Sequence, residues 1–419
     1  GVEKMSLMKS INTGLSGLNA NTRGLGVVGD NIANANTAGY KSSRANFADM
    51  LAGTTLGIGS GVGIGSVQQQ FTQGDLEMTG NALDVAISGP GFLMVEGEVG
   101  GREGSYYTRA GQFVLDNEGF ISTPEGLRLQ GYGVDGSGNV DLAQFGDLQV
   151  GGQKLPPQAT STIDFKLNLD PAEEVIADPW DPANPGETSN YSSSVTVYDS
   201  LGNAIEADVY YRKTGANSWE YKVLVDGEDV SSGAAGTPEE IASGTLDFDT
   251  DGELTTHTPA ATNFLPVDAT QPQDIAINFT GSTQVAGDSS LKSLSQDGYA
   301  VGELRDIVIE QDGTITGIFS NGENADIGRV AMADFQAPEG LERLGGRLWQ
   351  ATPQSGEAIV GAPGTGKFGA VISGALESSN VDMSHEFVKM IAYQRGFQAS
   401  SKAITTGDQL MAELINIKR

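Results

Sequence analysis

Apolar residues at both ends of the chain recur every three or four positions, which is the spacing of one face of an α-helix. Near the N-terminus these positions hold Ile11, Leu15, Leu18, Leu25 and Ile32. Near the C-terminus they hold Phe387, Met390, Phe397, Ile404, Met411 and, in a neighbouring row, Leu414. The alternation of three and four is typical of a coiled-coil seam. The pattern predicts two terminal helices that pack along these residues.

The predicted N-terminal helix contains five glycines, at positions 14, 17, 24, 26 and 29. Each glycine costs about 1 kcal/mol relative to alanine in a helix interior, so the isolated helix should be unstable in water. Burial of its apolar side chains would return roughly 1.5–3 kcal/mol each. We therefore expect the helix to form only when it packs, either against a second helix of the same domain or on assembly with other subunits.

Between the two ends the period changes to two residues, as in β-strands with one buried face. The segments with this alternation are 83–87, 92–96, 112–116, 163–169, 194–199, 206–211, 219–226 and 306–310. Residues 53–66 contain six glycines and are predicted to form a connector. Residues 170–187 contain four prolines and six acidic residues, which indicates a surface loop.

One hairpin pattern recurs three times, at 114–123, 247–256 and 308–317. Each copy consists of a strand, an acidic residue, a tight turn that ends in Gly, and a second strand. We expect the Gly at the position where the backbone adopts a positive φ. The copies lie too far apart in the chain for a solenoid.

Charge limits the classes of partner. The 419 residues include 54 Asp and Glu against 24 Lys and Arg, a net charge of −30, which argues against nucleic acid or an anionic membrane surface. Residues 1–50 hold five basic and three acidic side chains, and residues 381–419 hold five and four, so the segment between them carries −33. Two near-neutral ends can pack together while the acidic body stays solvated.

The sequence contains no Cys and only two histidines, His257 and His385. This excludes disulfides, thiolate metal sites, Cys nucleophiles and His-rich metal sites. A Ser-His-Asp triad would have to use one of the two histidines, and both are predicted to be solvated surface residues. Carboxylate pairs are numerous, but no aromatic sugar platform lies near any of them. We predict no enzyme, no cofactor and no metal.

Two short motifs resemble ligand-binding loops but are incomplete. Residues 247–252 match the first half of an EF-hand loop, but Thr258 stands where the bidentate Glu is required. Residues 361–368 match a P-loop except that Phe368 stands where Ser or Thr must reach Mg²⁺. Neither calcium nor nucleotide binding is predicted.

No stretch approaches the ~20 consecutive apolar residues of a membrane span. The region that follows Met5, a candidate initiator, also lacks the apolar core of a secretory signal peptide. We therefore expect no membrane insertion and no cleaved general-secretion signal.

Both ends of the chain resemble the bacterial flagellar rod and hook protein family. Residues 12–51, especially NIANANTAGYK at 31–41, resemble its N-terminal signature. Residues 375–419, with SNVDMSHEF and MIAYQRGFQA, resemble its C-terminal signature. In the body, residues 73–95 and 107–132 are similar to blocks shared by hook and rod proteins, whereas 197–219 and 296–322 are similar to hook proteins specifically.

The resemblance implies a mainly β fold with α-helical termini, in which discontinuous β domains are joined to a coiled-coil domain made from both ends. The implied parts are a terminal helical domain that forms an inner tube (1–35 plus 384–419), a connector (36–70 plus 370–383), an inner β domain (71–152 plus 293–369) and an outer β domain (153–292). The terminal-helix residues named above would then form the subunit interface.

The resemblance further implies a subunit that polymerises with itself into the hook, the flexible joint that transmits torque from rod to filament outside the cell. Its implied partners are the rod, hook-cap and hook–filament junction proteins and the flagellar type III export apparatus. A distal rod protein is the alternative within the family, although residues 153–292 favour a hook. A secreted calcium-stabilised adhesin is a second alternative, but it would need complete Asp loops. Some hooks are crosslinked through a Cys-derived residue, which this chain lacks.

Overall fold

The computed structural model describes residues 2–51, 59–136, 138–231, 233–259, 264–269 and 271–417. Helix α1 (Val2–Ala33) and helix α2 (Met383–Ile417) lie at the two ends of the chain. Over the described residues the rest is β-structure, turns and two short 3-10 helices, Gly227–Asp229 and Pro338–Gly340. The predicted mainly β fold with helical termini is confirmed. Asp382 caps α2 by accepting a hydrogen bond from the backbone N–H of His385 (3.1 Å).

The chain divides into two compact units. Unit 1 comprises Gly1–Gly152, Asp306–Ile318 and Asn324–Arg419, and unit 2 comprises Gln153–Arg305 and Phe319–Glu323. The first passage through unit 1 gives β1 (Ser43–Leu51), β2 (Gly59–Gln69), β3 (Leu76–Met78), β4 (Val85–Ser88), β5 (Phe92–Val99), β6 (Arg102–Thr108), β7 (Val114–Leu115), β8 (Ile121–Ser122), β9 (Arg128–Val134) and β10 (Val140–Asp147).

Unit 2 begins with β11 (Lys154–Leu155), β12 (Thr162–Asn168), β13 (Tyr191–Tyr198), β14 (Ala204–Lys213), β15 (Ser218–Asp226), β16 (Pro238–Phe248), β17 (Leu254–Pro259), β18 (Ala276–Asn278) and β19 (Ser290–Gln296). Strand β20 (Gly302–Ile309) starts in unit 2 and ends in unit 1. The return passage gives β21 (Thr314–Phe319), β22 (Asn324–Val330), β23 (Met332–Asp334), β24 (Glu342–Gly345), β25 (Leu348–Gln350), β26 (Ile359–Gly361), β27 (Ala370–Ser373) and β28 (Ala375–Glu377).

The sheets of unit 1 pair outgoing strands with returning strands. Its main sheet has the order β21-β22-β9-β5-β6-β25-β24, and two small sheets pair β27 with β4 and β28 with β3. Edge-to-face aromatic contacts fill one side of the main sheet, with 4.7 Å between the ring centroids of Tyr107 and Phe335 and 5.7 Å between those of Phe92 and Trp349. Unit 1 therefore closes only when the chain returns to it.

Unit 2 has a five-stranded antiparallel sheet, in the order β13-β14-β15-β16-β17, and a three-stranded sheet, in the order β18-β12-β19. Side chains of β14 alternate between exposed or half-buried and buried positions, as the period of two predicted. The buried set includes Phe165 and Phe279, which stack at 5.4 Å, and Trp219, which donates to Gln284 (2.8 Å). Aromatic and β-branched residues thus supply the core of this unit.

All three predicted hairpins are present, as β7–β8, β16–β17 and β20–β21. Their turns place Gly119, Gly252 and Gly313 at φ of 85°, 81° and 84°. A residue with a Cβ is strained in this region, so the recurrent Gly is required by the turn. The predicted loop at 170–187 is also confirmed, since it contains no strand or helix.

The glycine-rich segment predicted to be a connector is more ordered than expected. Its described part forms β2, which pairs with β1 in an antiparallel hairpin; residues 52–58 lie outside the described residues. The hairpin packs on the helices, because Ser16 Oγ in α1 accepts from the Val62 N–H (3.2 Å) and the Phe47 and Tyr393 rings lie 5.8 Å apart. Gly has low strand propensity, so tertiary packing overrides the local signal. The predicted domain boundaries stay a prediction.

Candidate assembly interface

Helices α1 and α2 pack antiparallel through small residues. A Cβ atom at Gly14 would lie 2.9 Å from Cγ1 of Ile404, and one at Gly407 would lie 2.9 Å from Cγ1 of Ile11. As residue numbers rise along α1, those of the contacted residues in α2 fall, which makes the pair antiparallel. We call this contact the small-residue seam.

The same close approach continues to the other end of the pair. A Cβ at Gly17 would lie 2.9 Å from Ser400 Oγ, and one at Gly24 would lie 3.1 Å from the Tyr393 ring. Larger side chains at these positions would separate the helices. The glycines that weaken α1 in isolation are therefore the ones that admit α2. Gly26 and Gly29 differ, because no atom lies within 4 Å of a Cβ placed there.

The predicted apolar seam and the small-residue seam are neighbouring rows on the same helix. Of the predicted residues, Ile11 and Ile404 contact the opposing helix at its glycines. The others described are half-buried or exposed: Leu15, Leu18, Leu25, Ile32, Phe387, Met390, Phe397 and Met411. Leu414 lies in α2, but its side chain is outside the described ones. The missed signal was the glycines at 14, 17 and 24, which lie on a row with the same 3–4 spacing as the apolar row.

Large apolar side chains are left exposed on the helices and the β1–β2 hairpin. They are Met8, Leu15, Phe47, Met50, Val67, Met383, Phe387, Val388, Ile391, Phe397 and Leu410. We call this set the outward apolar face. Large apolar side chains grouped on one surface indicate a protein–protein contact.

Asn31 fastens the end of the helix pair to the first strand. Its side chain accepts from the Ser43 N–H (2.9 Å) and donates to the Ser43 carbonyl (2.8 Å). It also donates to Glu386 in α2 (3.2 Å), whose other oxygen accepts from Lys389 (2.7 Å). Asn31 is buried, and its one amide joins α1 to both β1 and α2.

A buried ion cluster lies where the chain enters and leaves the β part of unit 1. Lys41 Nζ lies 2.6 Å from one oxygen of Glu377, and Arg109 Nη1 lies 3.4 Å from the other. The side chains of Lys41 and Glu377 are fully buried. Lys41 also donates to the Thr72 carbonyl (2.8 Å), and Glu377 accepts from the Gly74 N–H (2.8 Å). We call Lys41, Arg109 and Glu377 the buried ion triad.

Burial and ion pairing have opposite effects on the pKa values of the two cations in the triad. Burial lowers the pKa of Lys41 and of Arg109, and the Glu377 carboxylate partly offsets that lowering in both. Two cations share one anion, and the Arg109 guanidinium also lies 5.3 Å from the centroid of the Phe92 ring. Such a cluster is stable only while every charge keeps its partners.

The outgoing and returning segments are also joined through the backbone. Gly39 N–H donates to the Glu377 carbonyl (2.6 Å), and Ser42 N–H donates to Asn380 Oδ1 (2.7 Å). Gly39 has φ +71°, and a Cβ there would lie 2.5 Å from the Ala110 nitrogen. Only glycine fits this position.

Sequence reasoning did not identify the buried ion triad. Lys41 ends the segment 31–41, and Glu377 lies in the segment 375–419, the two segments that carried the resemblance. Their charges alone could not identify them as an ion pair, because 336 residues separate them in the chain. Arg109 lies in 107–132, another block that carried the resemblance, but nothing in its neighbouring sequence indicates its ion-pair partner.

No metal-binding cluster is found among the described residues. They contain no group of three or more His, Asp and Glu side chains able to hold a metal ion. In the half EF-hand, Asp249 Oδ1 accepts from the backbone N–H groups of Asp251 and Glu253 (2.9 Å each), so it caps its own turn. Helices α1 and α2 are not apolar enough over their described lengths to cross a bilayer.

A cavity of about 370 Å³ in unit 2 is lined by Glu206, Asp208, Tyr210, Asp226 and Asp229, among others. Burial, helped by the neighbouring acid Glu206, raises the pKa of Asp208. The lining contains four carboxylic acids and no Lys, Arg or His side chain.

Models of known families match four segments in the order expected from the fold. They are the flagella basal body rod protein model (residues 11–41), the D1 domain of flagellar hook protein FlgE/F/G (86–164), the FlaE D2 domain of flagellar basal body proteins (161–299) and the C-terminal domain of flagellar basal body rod FlgEFG proteins (372–417). Flagellar hook protein FlgE of Escherichia coli is 36% identical over 412 residues, which cover 96% of this chain and 98% of that protein. The chain belongs to the flagellar hook protein family.

Other members of the hook protein family are also similar to this chain. FlgE of Borreliella burgdorferi is 34% identical over 98% of this chain and 100% of its own. The crystal structure of Helicobacter pylori flagellar hook protein FlgE2 is similar in fold, with a TM-score of 0.50 and 17% identity over 72% of this chain and all of that one. The family resemblance found in the sequence is confirmed.

The buried ion triad gives a first prediction. Glu377→Gln removes the only anion of the triad and leaves two buried cations, so we expect unit 1 to lose about 3–5 kcal/mol of unfolding free energy. Urea denaturation followed by circular dichroism at the helical band measures this, since both α-helices belong to unit 1. Glu342→Gln, at an exposed position, is the matched control and should change stability by less than about 0.5 kcal/mol. Equal stability of the two variants would refute a structural role for the triad.

Tyr40 gives a pH prediction. Its hydroxyl oxygen lies 3.2 Å from Asp30 Oδ2 and 3.2 Å from Asn31 Oδ1, and burial together with Asp30 raises its pKa to about 12, against the opposing effect of Arg343. A raised pKa means that the phenol stays protonated to a higher pH in the folded state than in the unfolded state. Stability from the neutral phenol is therefore complete below pH 10 and is lost as pH rises towards about 12.

The measurement is urea unfolding at pH 9 and pH 11 for the native chain and Tyr40→Phe. The native chain should lose more stability between the two pH values than the variant, because the variant has no phenol to titrate at this position. The raised pKa values of Tyr211 and Tyr221 affect both proteins alike. The same loss in both proteins would show that Tyr40 does not contribute.

Proposed function

We propose that this chain is the structural subunit of a flagellar hook, which polymerises with itself into the flexible tube that transmits torque from rod to filament outside the cell. The observation that carries the proposal is the outward apolar face. It is formed by helices whose seam is already filled by small residues. The face therefore needs a second surface, and a neighbouring copy of the same chain supplies one at every position of a helical polymer.

Charge supports the same assignment of roles. The terminal segments are near neutral, and the body between them carries −33. Neutral apolar ends can come together in the inner part of a polymer, whereas acidic bodies repel each other and favour weak, adjustable contacts. We therefore assign permanent contacts to the terminal helical domain (1–35 plus 384–419) and sliding contacts to the outer β domain (153–292).

The remaining parts of the proposal follow from family membership. The connector would comprise 36–70 plus 370–383, and the inner β domain 71–152 plus 293–369. The rod, hook-cap and hook–filament junction proteins and the type III export apparatus are the proposed partners. A distal rod protein is the alternative, but the full-length relatives described above are named as hook proteins. No enzymatic activity is proposed.

The proposal is tested by placing a charge on the outward apolar face. Phe387 is 47% exposed in the single chain, so Phe387→Asp should leave the monomer folded. In a polymer the same carboxylate would be buried without a partner, at a cost of several kcal/mol per subunit. Electron microscopy and sedimentation should show folded monomer and no tubes.

Val175→Asp is the matched control, since Val175 is 51% exposed in the 170–187 loop of unit 2. It should assemble like the native chain, because a surface charge there costs little. Normal tubes from Phe387→Asp would show that this face is not an assembly element. The Phe397→Asp change tests the same face about three turns further along α2.

A further inference from the structure

Three of the nine methionines of this chain are exposed on the outward apolar face. Of the nine methionines, Met94 and Met332 are buried in unit 1. Met8, Met50 and Met383 belong to the outward apolar face, with exposed fractions of 57%, 51% and 38%. Methionine is usually among the more buried residue types, so its placement on this face needs an explanation.

Each of the three exposed thioethers occupies a distinct part of the face. Met8 is in α1, one turn before Ile11, which contacts α2. Met50 is near the end of β1, where its Sδ would lie 3.5 Å from a Cβ at Gly63 of β2. Met383 is the first residue of α2, four positions before Phe387 on the same side of the helix. The three are therefore accessible in the single chain, and all three border surfaces that assembly must cover.

We propose that Met8, Met50 and Met383 are three separate oxidation sites through which peroxide controls the ability of this subunit to polymerise. The inference rests on the proposed function. In the reaction the thioether sulfur attacks one oxygen of hydrogen peroxide and the O–O bond breaks. The sulfur is oxidised to the sulfoxide, and the peroxide is reduced to water. No other reactant is needed.

The consequence follows from what surrounds the new oxygen. A sulfoxide is polar and accepts hydrogen bonds, which water satisfies while the face is exposed. On assembly the oxygen would be covered by the apolar surface of a neighbouring subunit and would lose its hydrogen bonds to water. Oxidation should therefore leave the folded monomer stable and oppose its addition to a polymer.

The test treats folded monomer with hydrogen peroxide and maps the sulfoxides by mass spectrometry of peptides. Met8, Met50 and Met383 should be oxidised well before the buried Met94 and Met332. The critical concentration for polymerisation, measured by sedimentation, should rise by about tenfold or more. Treatment with methionine sulfoxide reductases should restore the original value, because the modification is reversible.

Two variants separate the proposed sites from general damage. The triple change Met8→Leu, Met50→Leu and Met383→Leu keeps the side chains apolar and similar in volume, and it should polymerise normally after peroxide treatment. Met78→Leu is the matched control, since Met78 is 72% exposed but lies in β3, outside the face. It should remain as sensitive as the native chain.

The outcomes are distinguishable from those for the proposed function. Failure of the untreated chain to polymerise would contradict the hook assignment, while the order of oxidation in the monomer would still test the sites. Unchanged polymerisation by protein that carries sulfoxide at all three positions would overturn the inference. The inference would also be overturned if peroxide impaired polymerisation of the triple variant as much as that of the native chain.

Discussion

The close approach of the two terminal helices is the constraint on which the rest of this structure depends. After α1 the chain forms the β-sheets of both units before it reaches α2. The two helices are therefore joined by contacts between residues that are separated by almost the whole chain. Gly17 and Gly24 of α1 allow that contact, because Ser400 and Tyr393 of α2 occupy the space that side chains would fill. Once small residues fill the seam, the larger apolar residues are left facing outward.

The buried ion triad extends this constraint from the helices into unit 1. Lys41 follows α1, Glu377 precedes α2, and Arg109 comes from the loop after β6. A buried ion pair contributes little net stability, but removal of one partner is costly. We infer that the triad fixes which segments meet, because any other arrangement would leave a buried charge without a partner. The helices and the β part of unit 1 can then behave as one rigid piece.

The sequence predicted those elements whose signal is local. The period of two located the buried strands of unit 2, and the turn pattern identified Gly119, Gly252 and Gly313. The 3–4 spacing predicted both helices but assigned their contact to the apolar row. The observed seam runs through the adjacent row of small residues. Helices can approach each other most closely where side chains are absent, and a search for regularly spaced apolar residues does not detect glycines.

The features that could not be predicted from the sequence depend on contacts between segments that are far apart in the chain. Strand β2 has weak strand propensity and is ordered by pairing with β1 and by the contact between Val62 and Ser16. Lys41 and Glu377 are ordinary surface-type residues until the fold buries them together. In each case the deciding contacts are tertiary, and family resemblance marked the segments of Lys41 and Glu377 but not β2.

The most direct test of this account is a disulfide across the small-residue seam. The chain has no Cys, and a Cβ at Gly17 would lie 3.8 Å from the Ser400 Cβ, which is the separation typical of a disulfide. The Gly17→Cys/Ser400→Cys chain should be polymerised, oxidised, unfolded without reductant and analysed by gel and mass spectrometry, with Gly29→Cys/Ser400→Cys as the control pair. We predict a bond within single chains for the first pair and none for the second. Covalent dimers or ladders from the first pair would show that the seam joins different subunits and would contradict the account.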